Sequence, residues 1–206
     1  MPIITDLLYL PPIEYFVAIQ GHQEIWLDSK ERYQKQTFRN RTQIRLANKV
    51  ENISLPVIGG NKKVNFAEVE IDYNQKWKNI HLRGIQSAYG KAPFYEFYFP
   101  YIEDVFAKNL TKLSELNLEL LTVCLKLLKL EVSVKYMEII GEQPNVTDMR
   151  GIIHPKEGFE ARNILMPTQY SQLFGSEFVP NLSIIDLLFC AGPESKEILT
   201  KSQKND

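Results

Sequence analysis

Between Lys30 and Lys49 the chain carries seven cations, Lys30, Arg32, Lys35, Arg39, Arg41, Arg45 and Lys49, against a single acid, Glu31. The whole protein of 206 residues has a formal net charge of −1, so this stretch is a concentrated basic segment in a near-neutral chain. Charge of that density repels itself and is easiest to rationalise opposite an anion, because arginine forks pair bidentately with phosphate oxygens. A phosphate-bearing small molecule or a sugar nucleotide fits such a patch. RNA fits it less well, since only Tyr33 and Phe38 interleave the cations. A strand face whose arginines are solvated, or paired with Glu51, Glu68 and Glu70, would carry the same charges.

Asp28 immediately precedes the basic segment. A carboxylate there can act as a general base or orient a basic neighbour; it can equally cap the turn and pair with Lys30 or Arg32. His81 is a second candidate base, followed by Tyr89 and Lys91, although a lone helical histidine is more often a satisfied structural residue. Asp148, Arg150, His154 and Lys156 gather in a polar connection, and loop residues often meet ligands, but their spacing matches no triad and no phosphate loop. Asp186 is an acid in the apolar run LSIIDLLF. It reads either as a buried catalytic carboxylate or, three residues after Ser183, as part of a helix capping pattern. Neither Cys124 nor Cys190 belongs to a CxxC pair, and His22, His81 and His154 lie too far apart for a metal motif, so no metal is expected. Nothing in the sequence names a cofactor or an oligomeric state.

These residues need a scaffold, and the pattern of apolar positions predicts an α/β one. Residues 2–10 read as a short buried strand, Pro11-Pro12 open a helix that closes at Gly21, and residues 24–28 (EIWLD) read as a second strand. A strand, a helix and a strand within thirty residues predict a βαβ unit with a parallel pair and a right-handed crossover. Ligands gather at the carboxyl ends of such strands, which are expected at Tyr9 and Asp28. Between Thr37 and Leu46 the residues alternate, with Phe38, Asn40, Thr42, Ile44 and Leu46 on one face and Arg39, Arg41, Gln43 and Arg45 on the other. VENISLPVI, a turn at Gly59-Gly60-Asn61 and VNFAEVEID extend this into an antiparallel meander.

Helical spacing follows at 75–90, stopped by Gly90, then a short helix after Pro100. A long amphipathic helix begins near Asn109, which caps it, and runs to Leu128. EVSVKYM reads as a strand, residues 141–159 as a polar connection, and PNLSIIDLLFCAGP as an apolar helix before a last helix over 194–201. The expected architecture is a single domain over residues 1–206, with a frayed tail at about 202–206. The N-terminus has an acid at Asp6 and prolines at 11 and 12, which is wrong for a signal peptide, and the apolar run 110–130 is interrupted by charges. No membrane span is expected, and the expected location is cytoplasmic.

The ordered blocks YLPPIEYF (9–16), WLD (26–28), FRNR (38–41), SLPV (54–57), Trp77, His81, AYGKAPF (88–94) and NLSIIDLL (181–188) resemble the WbqC-like protein family along nearly the whole chain. The resemblance implies a role in surface-polysaccharide, O-antigen or related small-molecule biosynthesis, with transfer of an acyl or aminoacyl group, glycine among them, onto a sugar or amine. On that reading Arg39, Arg41 and Arg45 hold the donor, Asn40 orients it, and Asp28 or His81 takes the acceptor's proton. Tyr9, Lys30, Arg32, Tyr89, Lys91, Arg150 and His154 complete the expected ligand contacts. The alternative is a protein that binds nucleotide or RNA phosphate, or partners a glycan-assembly enzyme, without a base. The chain departs from the family at Thr5-Asp6-Leu7-Leu8, where His-Gln-Pro-Asn is common.

Overall fold

The computed structural model describes residues 1–59, 64–141 and 143–204. Its centre is a four-stranded, wholly parallel sheet. Strand β1 (Ile3–Ile4) is followed by helix α1 (Ile13–Ile19) and strand β2 (Glu24–Asp28), and Ile3 and Ile4 pair with Ile25 and Trp26. The βαβ unit and its parallel pair are therefore present. Strand β1 is only two residues long, however, and the apolar run continues as irregular chain through Leu7–Leu10, buried throughout. Its carboxyl end is consequently at Thr5-Asp6, and Tyr9 lies beyond it in the core.

Two antiparallel pairs follow instead of one meander. Strand β3 (Arg41–Arg45) pairs with β4 (Val50–Ser54), and β5 (Val57–Ile58) pairs with β6 (Glu70–Ile71). Pro56 separates β4 from β5, and Phe66–Glu68 forms a single 3-10 turn, capped by the Asn65 side chain, where a longer strand is expected. The turn expected at 59–61 falls largely outside the described residues. Arg39 precedes β3 in a turn, so only Arg41, Gln43 and Arg45 share the half-buried strand face opposite Thr42 and Ile44.

Helix α2 (Trp77–Tyr89) ends at Gly90 as its spacing predicts. Helix α3 (Tyr95–Ala107) runs through Pro100 rather than starting after it; the proline forfeits one backbone bond, but its fixed φ is compatible with a helix. Asn109 does not cap the next helix. It adopts a left-handed φ of 50° just beyond α3, and α4 (Leu113–Leu127) starts four residues later behind Lys112. Strand β7 (Ser133–Met137) joins β2 along its full length, and the polar connection hides a fourth strand, β8 (Thr147–Asp148), paired with β1. The sheet order is thus β7-β2-β1-β8.

After a single turn of helix, α5 (Phe159–Arg162), an irregular strap leads to α6 (Ile184–Ala191) and α7 (Ser195–Lys201). All eight residues of α6 are buried, including Asp186. Ser183 sits at its N-cap position but makes no capping bond; its hydroxyl donates to the Leu10 carbonyl at 2.9 Å. The expected frayed tail is held at its start: Ser202 is buried, and its carbonyl accepts from the Met166 backbone. No helix among the described residues is long and apolar enough to cross a membrane.

Candidate functional site

In an open parallel sheet the backbone leaves each strand at the same edge, and the loops there converge. At this edge the chain places Asp6 after β1, Asp28 and Glu31 at and after β2, and Asp148 and Arg150 at and after β8. Arg39 enters from the turn before β3. Its Nη2 donates to Asp6 Oδ1 at 2.8 Å and its Nε donates to Glu31 Oε1. The other oxygen of Asp6 accepts the Gly151 backbone N–H at 2.8 Å, and Arg150 reaches Asp28 at 3.0 Å and Asp148 at 2.7 Å. Four chain segments are thereby tied into one polar cluster.

The cluster sets an unusual protonation state. Burial pushes the Glu31 carboxyl up to about 7 against the pull of Arg39, and the nearby charges of Asp6 and Asp28 add to the rise. Tyr15 from α1 is fully buried beside the same carboxylates, so burial and then Asp6 drive its phenol far above its ordinary value. The Arg150 fork on Asp148 holds that carboxyl low. A cleft of about 360 Å³ meets the cluster at Asp28 and lies between Asp28, Ser29 and Tyr136 on the sheet edge, Phe66 on the 3-10 turn and the first turns of α4.

The other expected site residues lie elsewhere. His81 is buried under α2 with both ring nitrogens engaged: Tyr9 OH donates to Nδ1 at 2.8 Å, and Nε2 lies 3.2 Å from the Ser54 carbonyl. Burial brings the imidazole down to about 4, and Trp77 packs edge-on against it. Neither Tyr9 nor His81 bonds to the carboxyl-edge cluster. Arg45 and Tyr89 belong to a second buried network around Asp186. The Arg45 backbone N–H donates to Tyr89 OH at 3.3 Å, and its guanidinium donates to Gln172 Oε1 and the Glu177 carbonyl. Asp186 accepts from Tyr170 at 2.5 Å and Gln172 at 3.0 Å, and its carboxyl is raised by burial.

Asn40 donates to the Leu55 carbonyl and leaves its Oδ1 buried without a partner. Arg41 is half-buried, its Nε also without a partner, near Tyr33. Lys30, Arg32 and Lys91 are exposed; the first two border the Asp28 turn, where the Lys30 N–H donates to Asp28 Oδ1 at 2.9 Å. His154 lies in the loop whose carbonyl accepts from Arg162, and Arg162 forks onto the fully buried Glu14 at 2.9 and 2.7 Å.

The structure therefore joins Asp28 to Arg150, adds Arg39 through Asp6 and Glu31, and leaves His81, Tyr89 and Arg45 outside. Asp6 and Glu31 were not among the expected site residues. The signal for Asp6 is the one that singles out Asp186, a lone acid in an apolar run; Glu31 is the lone acid in the basic segment. Among the described residues no group of three His, Cys, Asp or Glu side chains gathers where it could hold a metal ion. Both thiols are buried and pushed up to about 12, which leaves no reactive thiolate.

The fold and site define a mixed α/β protein with a polar cluster at the carboxyl edge of a parallel sheet. The model of the WbqC-like protein family matches residues 8–154 and 153–198, and the chain belongs to that family. No curated protein and no solved structure matches it.

Proposed function

We propose that the chain is a transferase of surface-polysaccharide or related small-molecule assembly, moving an acyl or aminoacyl group onto an acceptor, with its reaction centre at the carboxyl edge of the parallel sheet. The observation that carries this reading is the gathering of Asp6, Asp28, Glu31, Arg39 and Arg150 from four segments into one polar cluster, of which Asp28 also lines a cleft. Glu31 takes the acceptor's proton as the acceptor nitrogen or oxygen attacks the acyl carbon. The bond from that carbon to the leaving group then breaks, and the proton passes to the departing group. Arg150, oriented by Asp28 and Asp148, faces the anionic part of the donor together with Lys30 and Arg32. Supporting the reading further, the family's common histidine would fall at Thr5, beside Asp6 at the end of β1, so the family's departure and this cluster occupy the same edge.

A second reading, a nucleotide- or RNA-phosphate-binding protein without a base, is favoured by Arg41, whose guanidinium has no hydrogen bond or ion pair among the described residues. The test uses nucleotide sugars bearing a free amine or hydroxyl, supplied with acyl and aminoacyl thioesters. Glu31→Gln is expected to lower kcat at least roughly 100-fold with KM little changed. Undiminished turnover by that variant removes Glu31 from the reaction. Nucleotide binding that Arg41→Ala abolishes, with no turnover of any pair, would establish the second reading.

A further inference from the structure

The cleft at the carboxyl edge is built for one sign of charge. Its charged lining residues are Asp28 and Glu115, both acids, and no lysine, arginine or histidine lines it. Asp28 is largely occupied, by Arg150 on one oxygen and by the Lys30 N–H on the other. Glu115, in the first turn of α4, has no ion pair among the described residues, so its carboxylate is the open one. The partial positive charge of the α4 N-terminus acts in the opposite sense, and Glu115 offsets it.

Two aromatic rings supply the walls. Phe66 is held by a stacked Tyr33 at 6.3 Å, and Tyr136 stands nearly half exposed in β7, its phenol raised first by the burial of its hydroxyl end and then by the charges of Glu31 and Glu115. Aromatic faces beside carboxylates attract organic cations rather than anions. Ser114 adds a hydroxyl to the lining. It lines the cleft, is only 6% exposed, and its hydroxyl makes no hydrogen bond among the described residues. A serine hydroxyl that lines the cleft can accept a hydrogen bond from a donor that enters it.

We infer that this cleft binds the ammonium of an organic amine with a ring-sized apolar body, the charge lying between Glu115, Ser114 and the Tyr136 face. Its role as the acceptor's seat rests on the reaction proposed above, and it narrows that acceptor to an amine, whose ammonium first gives up one proton to solvent so that the free amine attacks as Glu31 takes the second. Cyclohexylamine, cyclohexanol and cyclohexanecarboxylate share one ring and differ in charge, and their binding to the full chain is read by NMR titration. The amine is expected to shift Phe66, Leu118 and Tyr136 resonances and saturate, with affinity on the order of tenfold above the alcohol. The carboxylate is expected not to saturate. Added salt weakens the amine and spares the alcohol, and Glu115→Gln brings the two together. Alcohol binding as tight as the amine in the wild-type chain, or a full amine preference in Glu115→Gln, overturns the inference. An amine preference kept in a Glu31→Gln chain that turns over normally would sink the reaction while leaving this site standing.

Discussion

Glu31 sits between opposed influences, and each is attached to a named neighbour. Arg39 draws its proton off, whereas burial and Asp6 hold it on. Asp6→Asn is therefore expected to lower the Glu31 midpoint and Arg39→Gln to raise it, a pair of opposite shifts readable by carboxyl NMR. The folded chain keeps this proton to about pH 7, while an unfolded chain releases it near 4.5. Glu31 thus contributes stability that is full below about 4.5 and lost as pH rises through 7; Glu31→Gln should flatten that part of the pH–stability curve. His81 behaves in the other sense. Its folded value of about 4 lies below the ordinary 6.5, so its contribution is full above 6.5 and lost as pH falls through 4. His81→Ala leaves the Tyr9 hydroxyl unpaired in the core and should cost about 2–4 kcal/mol in denaturant unfolding at pH 7. Turnover per folded molecule should survive. A large loss of kcat at unchanged stability would restore His81 as a base.

Between elements, two contacts fix the irregular second half of the chain. Glu14 on α1 is wholly buried, and the Arg162 fork from α5 is its charge partner, with Asn181 adding a weaker bond. Arg162→Met strands that carboxylate and should destabilise by about 3–5 kcal/mol, while adding Glu14→Met recovers much of the loss. Equal unfolding midpoints for the single and double variants would contradict this account. Gly175 in the strap has φ +80°, and a Cβ there would fall 1.8 Å from Arg45 Nη2. Gly175→Ala should release Arg45 from Gln172 and loosen the strap. The elements that were legible in the sequence are those long enough to show a period: β2 at 24–28, α2 up to Gly90, and β7. Strand β8 was not, because two residues, Thr147 and Asp148, carry no period and are defined only by their pairing with β1. For the same reason the apolar run at 2–10 concealed the end of β1 after Ile4, and with it the place of Asp6.

Across the whole molecule, the basic segment was legible as a count but not as a surface. Alternation suggested one face of three arginines. Instead Arg39 is drawn inward by an acid thirty-three residues earlier in the chain, and Arg45 by the strap. Such long-range neutralisation leaves no local trace in composition, and this is why a near-neutral protein can hold so basic a stretch. What sequence did carry was the βαβ unit itself, and the expected site residues Asp28 and Arg150 meet at its carboxyl edge. The central claim is that this edge holds a carboxyl able to exchange a proton at neutral pH. Carbon-13 NMR titration of the Glu31 side-chain carboxyl in the intact, ligand-free chain tests it most directly. The account predicts a midpoint near 7, and a midpoint at the ordinary 4.5 would contradict it.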